Sequence, residues 1–139
     1  MNDTIDQGDA RRRAFEEIYR FHRALERWFH GDLPRSRLGP EILDALHPEF
    51  HVVFPSGTLV SCPTLCAELQ RGHGSNPDLR IAIEEPHLLG VFPGLILASY
   101  VEYQRGARNS DTENGRRATV LFHCNPRLLW RHLHDTALP

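Results

Sequence analysis

One change of hydrophobic period constrains this chain more than any other feature. From Ala10 to His30 the apolar positions Phe15, Ile18, Phe21, Leu25 and Trp28 return every three or four residues, while Arg13, Glu16, Glu17, Arg20, Arg23 and Arg27 fill the other side. That spacing predicts a long amphipathic helix with one buried stripe. Asp9 is placed to cap its start and Gly31 to end it, with Pro34 preventing continuation. Beyond Pro48 the period falls to two: Phe50, Val52 and Phe54 alternate with His51 and Val53, the pattern of a strand. Pro55-Ser56-Gly57 turns this strand toward a short partner at Thr58 to Ser61.

Two further helices are expected. Pro40 to Leu46 carries proline in its first turn and stops at His47-Pro48, and Pro63 to Arg71 turns Leu65, Cys66 and Leu69 inward before Gly72 and Gly74. The remainder reads as strand: Leu79 to Leu89 with a break or bulge at Pro86, Leu95 to Gln104, Arg116 to Cys124, and Arg127 to Thr136. Pro93-Gly94 and Asn125-Pro126 supply tight turns, and the polar stretch Arg105 to Gly115 is expected to be a longer, mobile hairpin loop. Residues 1 to 8, with Ile5 their one aliphatic, are expected to be a disordered leader to a single domain over 9–139.

Helices gathered in the first half must cover one face of a sheet made mostly of sequential strands. The class is therefore α+β: a strongly curved antiparallel or mixed sheet, covered on its concave face by the long N-terminal helix and two short ones, a cone-shaped barrel. A helix packed across a strongly twisted sheet encloses space, and such a space is the default ligand site of a small domain.

Composition removes several alternatives. Basic and acidic residues number 16 and 18, so no nucleic-acid footprint follows from charge. No apolar run approaches the roughly 20 residues of a membrane helix, so no membrane partner is expected. Met1 to Ala10 lacks the pattern of a secretion signal. Together with Cys62, Cys66 and Cys124, an odd set of thiols, this predicts a cytoplasmic protein with free cysteines. Cys62 and Cys66 lie four apart with no second cysteine or histidine pair nearby, so buried thiols are expected there instead of a metal or redox site.

Four stretches carry a family resemblance: Phe15-Glu16-Glu17-Ile18-Tyr19 on the first helix, the strand Glu49 to Gly57, the strand Tyr100-Val101-Glu102-Tyr103-Gln104, and the terminal Trp130-Arg131-His132-Leu133-His134-Asp135-Thr136. With the order of elements over about residues 10 to 136, the chain resembles the nuclear transport factor two-like superfamily, the cone fold of ketosteroid-isomerase-like and SnoaL-like proteins. The resemblance implies a pocketed cone, often a homodimer through the outer sheet face. Its activities range from isomerases, cyclases, dehydratases and hydrolases to non-enzymatic modules, and fold does not choose among them. Ketosteroid isomerases use a carboxylate base and an oxyanion hole of a tyrosine and a protonated carboxylic acid. Tyr19 stands on the first helix where such a donor belongs, but no matching pair of carboxylates can be placed on the strands, so steroid isomerisation is not carried over.

Period two decides which groups share a face. Tyr100, Glu102 and Gln104 point one way. With Asn125-Pro126 as a two-residue loop, Leu121 faces Trp130 and Thr119 faces His132. Trp130, His132 and His134 then form one pocket-lining stripe, and Leu129, Arg131, Leu133 and Asp135 the outer one. Glu102, on a strand otherwise largely aliphatic, is the candidate proton acceptor if enclosed; at the sheet rim it would pair with an arginine in water. His132 and His134 also have the spacing of metal ligands, with Glu102 or His123 to complete a shell, but no metal and no cofactor are expected. The expectation is a pocket for a small apolar or aromatic molecule. If the protein is an enzyme, it performs acid/base chemistry of isomerase, dehydratase or cyclase type. Glu102 is then the acceptor, His134 or His132 the relay, Tyr19 or Tyr100 the hydrogen-bond donor, and Trp130 and Phe54 the apolar wall, with His22 and Gln104 also meeting the ligand. The competing class is a non-catalytic module whose cone binds a ligand or a partner protein.

Overall fold

The computed structural model describes residues 6–106, 114–124 and 126–139. Helix α1 spans Gln7–His30 and starts earlier than expected because Asp6, not Asp9, is its cap: the Asp6 carboxylate accepts from the Asp9 N–H at 3.1 Å. Gln7 and Gly8 thus belong to the helix, while residues 1–5 of the expected leader lie outside the described residues. Gly31 ends α1 in the left-handed region at φ 89°, which a side chain would strain. The buried stripe runs through Ala14, Ile18, Phe21, His22 and Trp28. No helix among the described residues is long and apolar enough to cross a membrane.

The expected helix over 40–46 is replaced by the short α2 (Leu38–Glu41) between two 3₁₀ turns, because Ile42, at φ −122° and ψ −64°, leaves helical geometry between them. Strands β1 (Leu46–Val53) and β2 (Leu59–Ser61) precede α3 (Cys62–Arg71), and β3 (Arg80–Phe92), β4 (Leu95–Arg105), β5 (Asn114–Cys124) and β6 (Leu128–Ala137) follow. They form one curved, open sheet in the order β2-β1-β6-β5-β4-β3, antiparallel except where β1 runs parallel to β6. The α+β class holds, as a mixed sheet that does not close. The break expected at Pro86 is an irregularity of β3 between Glu84 and His87, with Glu85 at φ 51°. The middle of the hairpin loop expected over 105–115, at 107–113, lies outside the described residues, as does Asn125 of the expected tight turn. Helix α1 lies across β3, β4 and β6, and its stripe meets Tyr100, Phe122 and Trp130, which are wholly buried.

The register of β6 differs from the expected one by two separate slips. Cys124 pairs with Leu128, so three residues join β5 to β6 instead of two, and Phe122, not Leu121, faces Trp130. Leu121 then pairs with His132, which leaves Arg131 as an extra residue bulged out of the ladder. A slip of one residue exchanges the two faces of a strand. Trp130 therefore points inward with Leu133 and Asp135, and His132 and His134 lie on the outer face, against the expected stripe. His132 there stacks edge-on with His51 at 4.9 Å between ring centroids, and His134 is exposed.

Removal of residue 131 would turn every β6 side chain beyond it to the other face. We expect Arg131→Ala, which loses only a half-exposed contact with Glu49, to change stability by about 1 kcal/mol or less. Deletion of Arg131 should abolish the cooperative unfolding transition in urea. A deletion variant that melts like the parent would show that the bulge does not set the faces of β6.

Candidate functional site

A cavity of about 440 Å³ lies between α1, α3, the 72–79 loop and the inner face of the sheet. Its walls are mostly apolar: Phe21, Leu25 and Phe29 from α1, Phe54 following β1, and Leu65 and Leu69 from α3. One region of the wall is polar. It gathers His22 of α1, Glu102 and Gln104 of β4, Arg116 of β5 and Asp135 of β6. The register explains the grouping, since Glu102 is directly opposite Arg116 and Asp135 opposite Ala118, two residues further along β5 on the same face.

His22 and Glu102 form a buried pair, 3.2 Å from Nε2 to Oε1, with side chains 6% and 7% exposed. The His22 Nδ1 lies 2.8 Å from the Ile18 carbonyl, an acceptor only, so Nδ1 carries a proton. Nε2 faces a carboxylate, which also calls for a proton, and the ring is accordingly an imidazolium held by two acceptors. Burial pushes His22 toward the neutral form. The charge and hydrogen bond of Glu102 and the Ile18 carbonyl outweigh that, and its pKa lies above the ordinary histidine value. Burial likewise pushes Glu102 up, but His22, the 2.7 Å hydrogen bond from Gln104 Nε2 and the charge of Arg116 overcome it and hold the carboxyl down at about 2. Glu102 is thus enclosed, not at the rim, and is fully ionised.

Asp135 is the opposite case. It is 5% exposed, and burial first, then the neighbouring charge of Glu102, push its carboxyl up to about 6. Arg116 is its counter-ion, with Nη1 3.7 Å from Oδ2, but the other carboxylate oxygen, Oδ1, and the Arg116 Nε are buried with no hydrogen-bond partner among the described residues. Two carboxyl groups on adjoining walls of one cavity are pushed in opposite directions, a pattern typical of sites that move protons.

The structure brings together His22, Glu102, Gln104, Phe54 and Trp130 of the expected site. Tyr100 is wholly buried behind them, its hydroxyl 3.4 Å from His22 Nε2, and burial keeps its phenol protonated far above neutrality. Tyr19 is a correction: next to Ile18 on α1, it is turned about 100° from the buried stripe and is 43% exposed, away from the cavity. His132 and His134 are corrections for the reason already given, the bulge at Arg131. Asp135 and Arg116 are absent from the expected site. Pairing β4 with β5 as a hairpin would have placed Arg116 opposite Glu102, whereas nothing in the sequence marks the bulge that turns Asp135 inward.

The three cysteines are free thiols. Cys62 and Cys66, one turn apart on α3, have sulfur atoms 3.7 Å apart, and burial together with Cys66 pushes the Cys62 thiol up to about 11. Among the described residues no three histidine, cysteine or acidic side chains are arranged to hold a metal ion.

No protein-family model and no curated protein matches the chain. Solved structures do. An NTF2-like protein of unknown function from Pseudomonas aeruginosa is similar at 28% identity and a TM-score of 0.82, over 91% of this chain and 98% of that one. An NTF2-like protein from Cytophaga hutchinsonii has a TM-score of 0.72 at 16% identity, over 96% of this chain and 100% of that one. A candidate dehydratase of the NTF2-like family from Streptomyces avermitilis has a TM-score of 0.73 at 14% identity, over 96% of this chain and 99% of that one. The last two, at such low identity, share the fold. The cone resemblance read from the sequence is borne out.

The raised pKa of Asp135 makes a stability prediction. A carboxyl held at about 6 in the folded chain but near its ordinary 3.8 when unfolded costs nothing below the lower value and its full penalty above the higher. Stability should therefore fall between about pH 4 and pH 6, by about 2–3 kcal/mol from this group. Asp135→Asn should remove that slope and be the more stable chain at pH 8. Urea midpoints for both proteins across pH 4–8 decide it, and parallel profiles would show that Asp135 is not strained by its burial.

Proposed function

We propose that this chain, which belongs to the nuclear transport factor two-like superfamily, holds a small apolar or aromatic organic molecule in its cavity and acts on it by acid/base chemistry without a cofactor. The observation that carries this reading is the buried Asp135 carboxyl on the lining of a largely apolar cavity, beside the His22–Glu102 ion pair. A proton acceptor must bind and release its proton near the working pH. Glu102 is held ionised far below that range, whereas Asp135 is held close to it, so the acceptor role passes from Glu102 to Asp135.

In this reading Asp135 takes a proton from a carbon next to a carbonyl, and the electron pair moves onto the carbonyl oxygen. The Arg116 guanidinium, on the same cavity lining, stabilises the resulting negative charge. His22 and Glu102 take no part in the transfer. Their pair fixes the local field and keeps Glu102 from competing for the proton. Phe54 and Trp130 supply apolar wall. Isomerisation and dehydration both begin with such a step, and the fold is shared with a candidate dehydratase. Three free thiols are in keeping with a reducing, cytoplasmic setting.

The reading includes a homodimer through the outer sheet face, where Leu97, Leu121, His132 and His51 make one row across four strands and are all half-buried. Light scattering should report a dimer for the parent and a monomer for Leu121→Arg, and a monomeric parent would dispose of the interface.

Catalysis is tested with 2-decalone, an uncharged carbon acid sized for the cavity, in heavy water. Exchange of the protons beside its carbonyl, followed by NMR, should run about 10²-fold faster with the parent than with Asp135→Asn. Decalone that binds without accelerated exchange would leave the competing reading, a binding module, in its place.

A further inference from the structure

Two thiols that take no part in the cavity stand together on α3. Cys62 opens the helix and Cys66 follows one turn later on the same face, with the sulfur atoms 3.7 Å apart. Both are free and partly exposed, and Cys62 borders a cleft of about 630 Å³ between the β1–β2 hairpin and the start of α3. Spacing alone argued for inert thiols here, but the sulfur separation argues otherwise. Two sulfurs bound to one centre through bonds of about 2.3 Å lie about 3.3 Å apart at a right angle and about 3.8 Å apart at the tetrahedral angle. The observed separation falls in that interval, so the helix already holds the pair as a chelate requires. We propose that Cys62 and Cys66 are a dithiol site for a trivalent arsenic centre, arsenite or an organic arsenous acid, which both sulfurs bind at once. The two cysteines are not on the cavity lining, so the site stands whether or not the cavity is catalytic.

Three kinds of chemistry join two thiols, and the surroundings choose among them. A disulfide needs β-carbons about 3.5–4.5 Å apart. Residues four apart on a helix hold theirs at about 5–6 Å, so oxidation would have to unwind the first turn of α3. Zinc takes four ligands, and among the described residues no third histidine, cysteine or acidic group joins the pair to hold a metal. Trivalent arsenic is pyramidal and three-coordinate. Two sulfurs and one hydroxyl or carbon substituent complete it, and the cleft beside Cys62 has room for that substituent. Protonation points the same way. Burial and the neighbouring Cys66 push the Cys62 thiol up to about 11, so near neutrality it keeps its proton. Zinc would have to displace that proton, whereas arsenous acid condenses with the protonated thiol. Two arsenic–oxygen bonds break and two arsenic–sulfur bonds form. Each thiol proton leaves with an arsenic hydroxyl as water, arsenic stays trivalent, and no charge is added where Cys62, Leu65 and Cys66 pack against the core.

Phenylarsine oxide, which water converts to the arsenous acid, is the probe, with millimolar glutathione present as a monothiol competitor. Native mass spectrometry should show one phenylarsenic unit on the parent and on Cys124→Ser, with two hydrogens lost. The second sulfur of a chelate binds as an intramolecular partner, so Cys62→Ser and Cys66→Ser should each bind at least about tenfold more weakly. The folded helix holds the pair ready and the unfolded chain does not, so the reagent should also raise the urea midpoint of the parent but not that of Cys66→Ser. No adduct on the parent, or one that persists in either serine variant, overturns the site. An unchanged parent midpoint does so too, because α3 would then not be what positions the sulfurs. A parent that retains one zinc ion per chain through gel filtration overturns the choice of arsenic. A Cys62–Cys66 disulfide that forms in oxidised glutathione with the urea midpoint intact has the same force. Should the serine variants not fold, glutathione resistance and the midpoint of the parent decide.

Discussion

The His22–Glu102 ion pair is the interaction on which the rest of the inner surface depends. It joins the middle of α1 to β4, the second strand of the sequential antiparallel run β3 to β6, across the space where the helix stands off the sheet. A buried charge is tolerated only when it is paired and its remaining hydrogen-bonding positions are filled. Here Ile18 and Glu102 fill both nitrogens of His22, and Gln104 takes the second oxygen of Glu102. The pair therefore makes a small contribution to net stability compared with the apolar contacts around it, yet losing either member would strand the other. It supplies one polar contact between α1 and β4 amid apolar packing.

Around that pair apolar material lines the cavity without filling it. Phe21 stacks against Trp130 at 4.7 Å, and Trp130 against Phe122 at 4.9 Å, a continuous aromatic block on one side of the polar cluster. The Trp130 indole N–H donates to Glu17 at 2.8 Å, which Arg20 also grips, so the ring is held in place by α1 as well as by its own strand. Curvature of the sheet then leaves room between Phe54, Leu65 and Leu69 that no side chain of the described residues fills. The cavity thus reflects a helix and sheet fixed at one polar joint and one aromatic block, with the remaining gap too wide for the residues on either side.

Much of this was legible in the sequence and some of it was not, for identifiable reasons. Helix α1 was legible because its period persists through a 24-residue element and ends at a glycine that the left-handed region demands. The strands β3 to β6 were legible from alternation and turn residues, and Glu102 was legible as an acid on a largely aliphatic strand, with an enclosed and a rim position both open. What the sequence could not supply was the phase of β6. Both of its stripes mix apolar with charged or aromatic residues, so neither announces itself as the inner one. One extra residue in the connection and one bulge at Arg131 then settled the matter by backbone geometry. Tyr19 was misplaced for a simpler reason: a neighbour of Ile18 on a helix does not share its face.

That bulge reaches into the chemistry. Had β6 run without it, His132 and His134 would border Glu102 and Arg116, and the cavity would hold several imidazoles that share one carboxylate. With it, Asp135 enters a wall already occupied by an ionised carboxylate whose histidine partner is engaged. Arg116 is the counter-ion of Asp135, at a separation too long for a close hydrogen bond. The low pKa of Glu102 and the high pKa of Asp135 are linked: His22 and Gln104 hold Glu102 ionised, and its charge adds to burial in raising Asp135. The group left over is the one able to exchange a proton near neutrality, and it is available because a single residue of β6 stands outside its ladder.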